Sequence, residues 1–387
     1  MICRRKTALY ADLPFVFFIL ITGFLWFQGN HFHTVLDAQE TINEPAGRLE
    51  NSSRQSLIVV QGAGGSAKFQ TVFLETCQQI EKAAQKSEAD FAWIGKPGRD
   101  QKSADSENDK ALLKLELEKR LNGQAQLWII LVGHGTYDRQ NAKFNLRGPD
   151  VSAKELNEWL ESSKRPVAIV NCASASAPFI NELAGKGRVI VTSTKSGFEL
   201  NYARFGIHFA KALTDPAADI DKDDQVSLLE SFLYASRKVD EFYKSESRLS
   251  TEHALIDDNG DGKGTPLSFF RGVRVIKKSE DESIPDGPVA NQIHLLQSEF
   301  EKLISIEKRN RRNALELKLE ELRSRKEQVE EGEYFAALEK IAMELAVLYQ
   351  AIEKEQAEKN PGNAPKEKST VKPEETKPIN AENDAAK

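Results

Sequence analysis

The stretch Leu127-Trp-Ile-Ile-Leu-Val-Gly-His-Gly135 is an unbroken apolar run that ends in a glycine-flanked histidine, and Val167-Ala-Ile-Val-Asn-Cys-Ala-Ser174 repeats the pattern further on. An apolar run of this length bounded by turn residues reads as a strand buried on both faces, as in a parallel sheet. Further runs at 57–60, 91–94 and 189–192 read the same way. Between them, Phe69, Val72, Phe73, Cys77 and Ile80 recur at helical spacing, as do Leu112, Leu113, Leu115 and Leu121 less regularly. Ser152 with Glu155 three residues later is a capping box opening another helix, and helices are expected near 177–184, 201–213 and 227–245. Strands alternating with helices predict an α/β fold: an open, mostly parallel sheet with helices on both faces, over residues 56–278.

In an open parallel sheet, ligands bind outside the carboxyl ends of the strands. His134 and Cys172 both leave a strand at that edge, and consecutive strands joined by one crossover are usually neighbours. The two side chains are therefore expected across one cleft. A thiol with the ordinary pKa of about 8.5 is mostly protonated at neutral pH, and a nearby imidazole that takes its proton makes it a nucleophile. The backbone N–H groups of Gly135 and Cys172 are the candidate oxyanion donors. Acyl transfer follows, with water giving hydrolysis and an amine giving ligation. Cys77, beside Phe73 and Ile80 on an apolar helical face, reads as core.

A hydrophobic strand ending in His-Gly, followed by another ending in Cys, resembles the caspase and legumain clan of cysteine peptidases. The segments Asn201-Tyr-Ala-Arg-Phe-Gly206 and Leu255-Ile-Asp-Asp-Asn-Gly-Asp-Gly262 are similar to exported bacterial members closer to legumain. The resemblance implies a caspase-like three-layer sandwich, His134 and Cys172 as catalytic residues, Gly135 at the oxyanion hole, and Ser193 and Thr194 walling the specificity pocket. It implies a protein or peptide substrate. Two departures stand out. Val170 replaces a polar or acidic residue, and Ser174-Ala175 replaces Ser-Gly. They support the alternative of an inactive domain of the same fold, serving as a binding or scaffold module through its C-terminal helices.

Two acidic loops carry calcium-loop spacing. Asp219, Asp221, Asp223, Gln225 and Glu230 stand at the first, third, fifth, seventh and twelfth positions of one, with Asp224 where glycine usually turns the chain. Asp257, Asn259 and Asp261 open the second, whose twelfth residue, Ser268, brings no carboxylate. Any Ca2+ here is expected to be structural.

The flanks set the context. The 387 residues hold 59 acidic and 53 basic side chains, a net charge of −6 without a basic stripe, which argues against nucleic acid as a partner. Three cysteines, Cys3, Cys77 and Cys172, are too few for a disulfide framework and wrongly spaced for zinc. Arg4, Arg5 and Lys6 precede an apolar run at 13–27, so residues 1–38 read as a signal peptide or signal anchor; cleavage is favoured because a full span would bury Asp12. The chain is expected to be periplasmic, secreted or membrane-anchored, touching membrane only through this segment. A tether covers 39–55 and a linker 279–290. Apolar stripes of Ile293, Leu296, Phe300 and Leu303, of Leu315, Leu319 and Leu322, and of Leu338, Ile341, Leu345, Leu348 and Ile352 predict a helical hairpin or coiled coil over 291–355, broken at Gly332. Such narrow stripes call for packing on the domain or self-association. A polar tail, 356–387, reads as disordered.

Overall fold

The computed structural model describes residues 54–98, 108–277 and 286–359. The expected export segment, most of the tether, most of the linker and nearly all of the polar tail lie outside these residues. Among the described residues, no helix is long and apolar enough to cross a membrane.

The five expected strands form one continuous parallel block of a seven-stranded sheet. They are β1 (Ser56–Gln61), β2 (Asp90–Ile94), β3 (Leu127–Val132), β7 (Val167–Asn171) and β8 (Arg188–Thr192), side by side in the order β8-β7-β3-β1-β2 and all parallel. Between β3 and β7 in the chain lies a small separate sheet of β4 (Gly135–Tyr137), β5 (Ala142–Phe144) and β6 (Val151–Ser152). Beyond β8 the main sheet gains two antiparallel strands that the apolar pattern did not reveal, β9 (Leu255–Asp257) and β10 (Thr265–Pro266). They are short, and β9 doubles as the start of the second acidic loop, which hides it behind turn residues. A two-stranded ribbon, β11 (Phe270–Arg271) with β12 (Arg274–Val275), follows.

Strand alternation sorts the core into two layers. Leu57, Val59, Trp128, Ile130, Ala168, Val170 and Cys172 face helices α1 (Ala67–Lys86), α5 (Phe205–Ala212) and α6 (Leu228–Ser245), packing with Phe73, Cys77, Phe209 and Phe232. Ile58, Val60, Ile129, Leu131 and Ile169 face α2 (Asp109–Glu118), α3 (Ala153–Leu160) and α4 (Pro178–Leu183), packing with Leu113, Leu117, Leu156 and Phe179. The result is the three-layer α/β sandwich that the strand-helix alternation predicts. Buried Arg165 fastens the amino ends of the strands, donating to Ser56 Oγ and to the carbonyls of Arg54, Arg120, Ala125 and Gln126. A guanidinium with that many acceptors is satisfied without a counter-ion.

The C-terminal region differs from expectation at both ends of its pattern. The first stripe is not one helix. Ile293 and Leu295 pack into the α/β core, and only Glu299–Leu303 (α7) is helical. The chain breaks ahead of Glu331, so Gly332 lies in the first turn of the last helix rather than between helices. Helices α8 (Ile306–Ser324) and α9 (Glu331–Lys359) then form a hairpin around Ile304, Leu315, Leu348 and Ile352. Buried Glu301 anchors it through a bidentate pair with Arg312 at 2.6 and 2.9 Å and a contact to Arg309 at 2.8 Å.

Two buried carboxyls join β9 to the segment entering this region. Asp286 accepts from the Asp258 N–H at 2.9 Å and the Thr265 hydroxyl at 2.5 Å, while Asp258 accepts from the N–H groups of Gly287 and Ala290. Burial, reinforced by the Asp258 charge, pushes Asp286 up to about 8, and burial lifts Glu252 to about 7. Unfolded carboxyls titrate near 4. Between those values the native chain holds protons that the unfolded chain has released, so stability falls as pH rises through the window. Tm is expected to drop between pH 6.5 and pH 8, and Asp286→Asn to flatten the drop. Melting curves that are level across this range would refute the assignment.

Candidate active site

Parallel pairing of β3 with β7 sets Leu131 opposite Asn171, and the Cys172 N–H donates to the Leu131 carbonyl at 2.9 Å. His134 and Cys172 thus leave adjacent strands at the same edge. Both meet the α1/α5 face of the sheet. The imidazole stands edge-on to Phe69 and Phe73 of α1, with ring centroids at 4.8 and 5.1 Å, and to Tyr202 at 6.3 Å. Partial burial lowers the His134 pKa against the opposing pull of the Gly64 carbonyl. The ring is therefore neutral at pH 7 and free to accept a proton.

The thiol is in a different condition. Cys172 is only 4% exposed, and burial raises its pKa well above the ordinary thiol value. Gly206, in the first turn of α5, lies against it: a β-carbon there would stand 2.7 Å from Cys172 Cβ and 3.2 Å from Sγ. Only glycine allows that approach. The amino end of α5 would favour a thiolate, yet buried Glu252 already takes the N–H groups of Arg204 and Phe205 at 2.7 and 3.1 Å. Among the described residues no hydrogen bond joins the thiol to His134.

The predicted oxyanion donors are present but engaged. The Gly135 N–H donates to Ser174 Oγ at 3.3 Å, the same hydroxyl donates back to the Gly135 carbonyl, and the Cys172 N–H belongs to the sheet. The hole inferred from sequence is closed in this conformation because a hydroxyl two residues past the thiol satisfies the donor first. Ser193 and Thr194 are likewise not pocket walls. Both are fully buried and brace the loop after Cys172: Ser193 Oγ donates to the Ala173 carbonyl at 2.6 Å, and Thr194 Oγ1 accepts from the Ala177 N–H at 3.0 Å and meets Ser176 Oγ at 3.1 Å. Their polarity meets the loop's own backbone, since buried N–H and C=O groups need partners.

Sequence reading assigned no role to Ser174, Ser176, Glu199, Tyr202, Gly206 or His253, all of which shape this region. The local signals were the 201–206 segment, which holds Tyr202 and Gly206, and Ala175, which stands where the resembled clan has glycine. Its φ is +53°, a left-handed conformation that costs a non-glycine residue about 1–2 kcal/mol.

In the first acidic loop, Asp219, Asp221 and Asp223 each offer an oxygen, all within 4.8 Å of one another, and Asp224 turns the chain at φ +66°. Glu230 is not with them. Its carboxylate accepts from the Ile220 and Asp221 N–H groups and closes the Ser227 capping box of α6. The Gln225 side chain binds Asp223 and the Ser298 N–H. In the second loop, Asp257 accepts from the Gly260 and Gly262 N–H groups, Asn259 from Asp261 N–H and Asp261 from Lys263 N–H. These carboxylates are turned toward their own backbone.

No family model matches the chain, and no curated protein matches it. Among solved structures it is similar to the Drosophila initiator caspase Dronc, at 13% identity and a TM-score of 0.38 over 55% of this chain and 83% of that one. At that score the likeness adds nothing to the geometry of the site.

Ala175→Gly is expected to leave Tm unchanged or raise it, because loss of the left-handed penalty offsets the extra freedom of glycine in the unfolded chain. Ala175→Val, placing a branched side chain at the same φ, should lower Tm by several degrees. The reverse order in thermal melts would show that the loop does not hold this conformation in solution.

Proposed function

We propose that the chain is an exported cysteine endopeptidase in which Cys172 is the nucleophile and His134 its base. One observation carries the reading: an imidazole and a thiol follow the ends of paired parallel strands, on one face of the sheet, at the edge where such sheets bind ligands. In the forward step Sγ bonds to the carbonyl carbon of a peptide while its proton passes to the neutral imidazole. The tetrahedral adduct collapses as the amine leaves with that proton, and water or a second amine then releases the acyl group. The Gly135 N–H serves the oxyanion once Ser174 Oγ releases it. Kinship with legumain in particular rests on residues 201–206 and 255–262, and export on the apolar run at 13–27.

A second reading is favoured by a specific observation. Burial of Cys172 and engagement of both backbone donors suit a non-catalytic domain that acts through its C-terminal hairpin. Peptide-library cleavage separates the two. Under the enzymatic reading, Cys172→Ala and His134→Ala each lower kcat/KM by at least about a thousandfold, and the acid limb of the wild-type profile lies below pH ~6.5 because the His134 pKa is lowered. Cleavage that survives Cys172→Ala removes the peptidase.

We also propose that Asp219, Asp221 and Asp223 take a structural Ca2+. Partial desolvation and the neighbouring Glu230 and Asp223 charges hold exposed Asp221 at about 6, and a cation would relieve the charge repulsion. Added calcium is expected to raise the Tm of the native chain and to leave Asp221→Asn unmoved. Identical melts with calcium and with chelator would exclude the site.

A further inference from the structure

We propose that residues 195–204, which lead from β8 into α5, form an autoinhibitory lid over Cys172 that the Glu199–His253 pair latches shut. The proposal rests on the peptidase reading only in taking Cys172 as the group to be covered.

Glu199 holds three segments together. Its carbonyl accepts the Ala175 N–H at 2.9 Å, which ties the lid to the loop after the thiol. One carboxylate oxygen accepts the N–H groups of Lys195 and His253 at 3.0 and 3.2 Å, and the other meets His253 Nδ1 at 2.5 Å. The far end of the lid is fastened separately. Tyr202 packs at 4.8 Å on Phe69 and faces His134, while the Arg204 guanidinium lies 4.1 Å from the Phe242 ring centre. In the middle, Gly197 lies flat on the Tyr137 ring, where a β-carbon would collide with it.

The middle of the lid is not held down by burial of its own large apolar groups. Phe198 and Leu200, its most exposed large apolar side chains, are 65% and 61% exposed. Burying such surface is what normally holds a segment down; at the Glu199 end the holding is done by hydrogen bonds, packing being left to Tyr202 and buried Ala203 at the far end, and the His253 side chain in the latch is 37% exposed to water. Segments held in this way open at low free energy. The loop beneath is also under tension. Ala175 keeps its left-handed φ where its N–H meets Glu199, and buried Asn171 Nδ2 has no hydrogen-bond partner among the described residues. Lifting the lid frees Ala175, draws Tyr202 and the adjoining first turn of α5, with Gly206, off Cys172, and leaves Ser174 free to rotate off the Gly135 N–H. Both sets of groups, the thiol and the oxyanion donor, would become available in one movement.

The test is alkylation of the full-length protein with iodoacetamide, read at Cys172 and Cys77 by peptide mass spectrometry. Cys77 is fully buried on the core-facing side of α1 and reports general loosening. His253→Ala and Glu199→Ala attack the latch from its two sides, and Glu199→Gln keeps shape while weakening the charged bond. The Ala variants are expected to raise the Cys172 rate about tenfold, with Glu199→Gln intermediate and Cys77 unchanged. No rise at Cys172, or an equal rise at both cysteines, overturns the lid. Labelling needs no turnover, so the two readings fail separately: faster labelling without peptide cleavage keeps the lid and removes the peptidase, and cleavage without faster labelling in the latch variants does the opposite.

Discussion

Everything at the candidate site depends on the parallel register of β3 against β7. The bond from the Cys172 N–H to the Leu131 carbonyl is the last rung of that ladder, and it places the imidazole-bearing turn and the thiol-bearing turn next to each other. A slip of one residue would send Cys172 to the opposite layer, because side chains alternate across a strand. The register is secured from both faces, with Trp128, Ile130, Ala168 and Val170 packed on one and Leu127, Ile129, Val167 and Ile169 on the other. The chemistry therefore inherits its geometry from an apolar core that has no chemical role of its own.

The same pairing explains why the thiol is held protonated in this arrangement. A strand end in the centre of a sheet is dry, and a dry thiol keeps its proton. Its N–H is spent on the ladder, and the polar groups that follow have been recruited to satisfy the loop's backbone: Ser174 to Gly135, Ser176 and Thr194 to each other, Ser193 to Ala173. A network in which each member satisfies another is rigid, since breaking any one bond strands a buried partner. Two imperfections flank the thiol: Ala175 is left-handed, and Asn171 Nδ2 has no hydrogen-bond partner among the described residues although its Oδ1 accepts from the Ala173 N–H.

The layered fold was legible because buried strands are apolar runs and helices repeat at another period; 127–132 and 167–170 could hardly be anything else. That His134 and Cys172 follow the ends of neighbouring strands came from the same reasoning. What was not legible depended on competition among polar groups. Glu230 stands twelfth in a calcium loop and third after Ser227 in a capping box, and the two patterns share the residue. Four donors, from Ile220, Asp221 and the N–H and hydroxyl of Ser227, already lie on its carboxylate, so the helix cap holds it. Ser193 and Thr194 misled for a related reason: a hydroxyl at a strand end looks the same in sequence whether it faces a ligand or a neighbouring loop. Strand β9 was missed because its two partners in the ladder, not its own composition, make it a strand.

The two readings of this domain differ less than they seem to. A nucleophile must be dry enough to be strong and reached easily enough to react, and one static loop cannot meet both demands at Cys172. Either the buried arrangement is the whole story, and the Cys-His pair is a piece of well-packed core, or the chain has a second arrangement in which Ser174 and the 195–204 segment let go. Stable core has no need of a left-handed alanine three residues past the cysteine, tied by its N–H to a segment whose acid-imidazole contact is open to water. A left-handed alanine costs free energy wherever it occurs, and beside a nucleophile that cost is what a loop built to move between two positions can release.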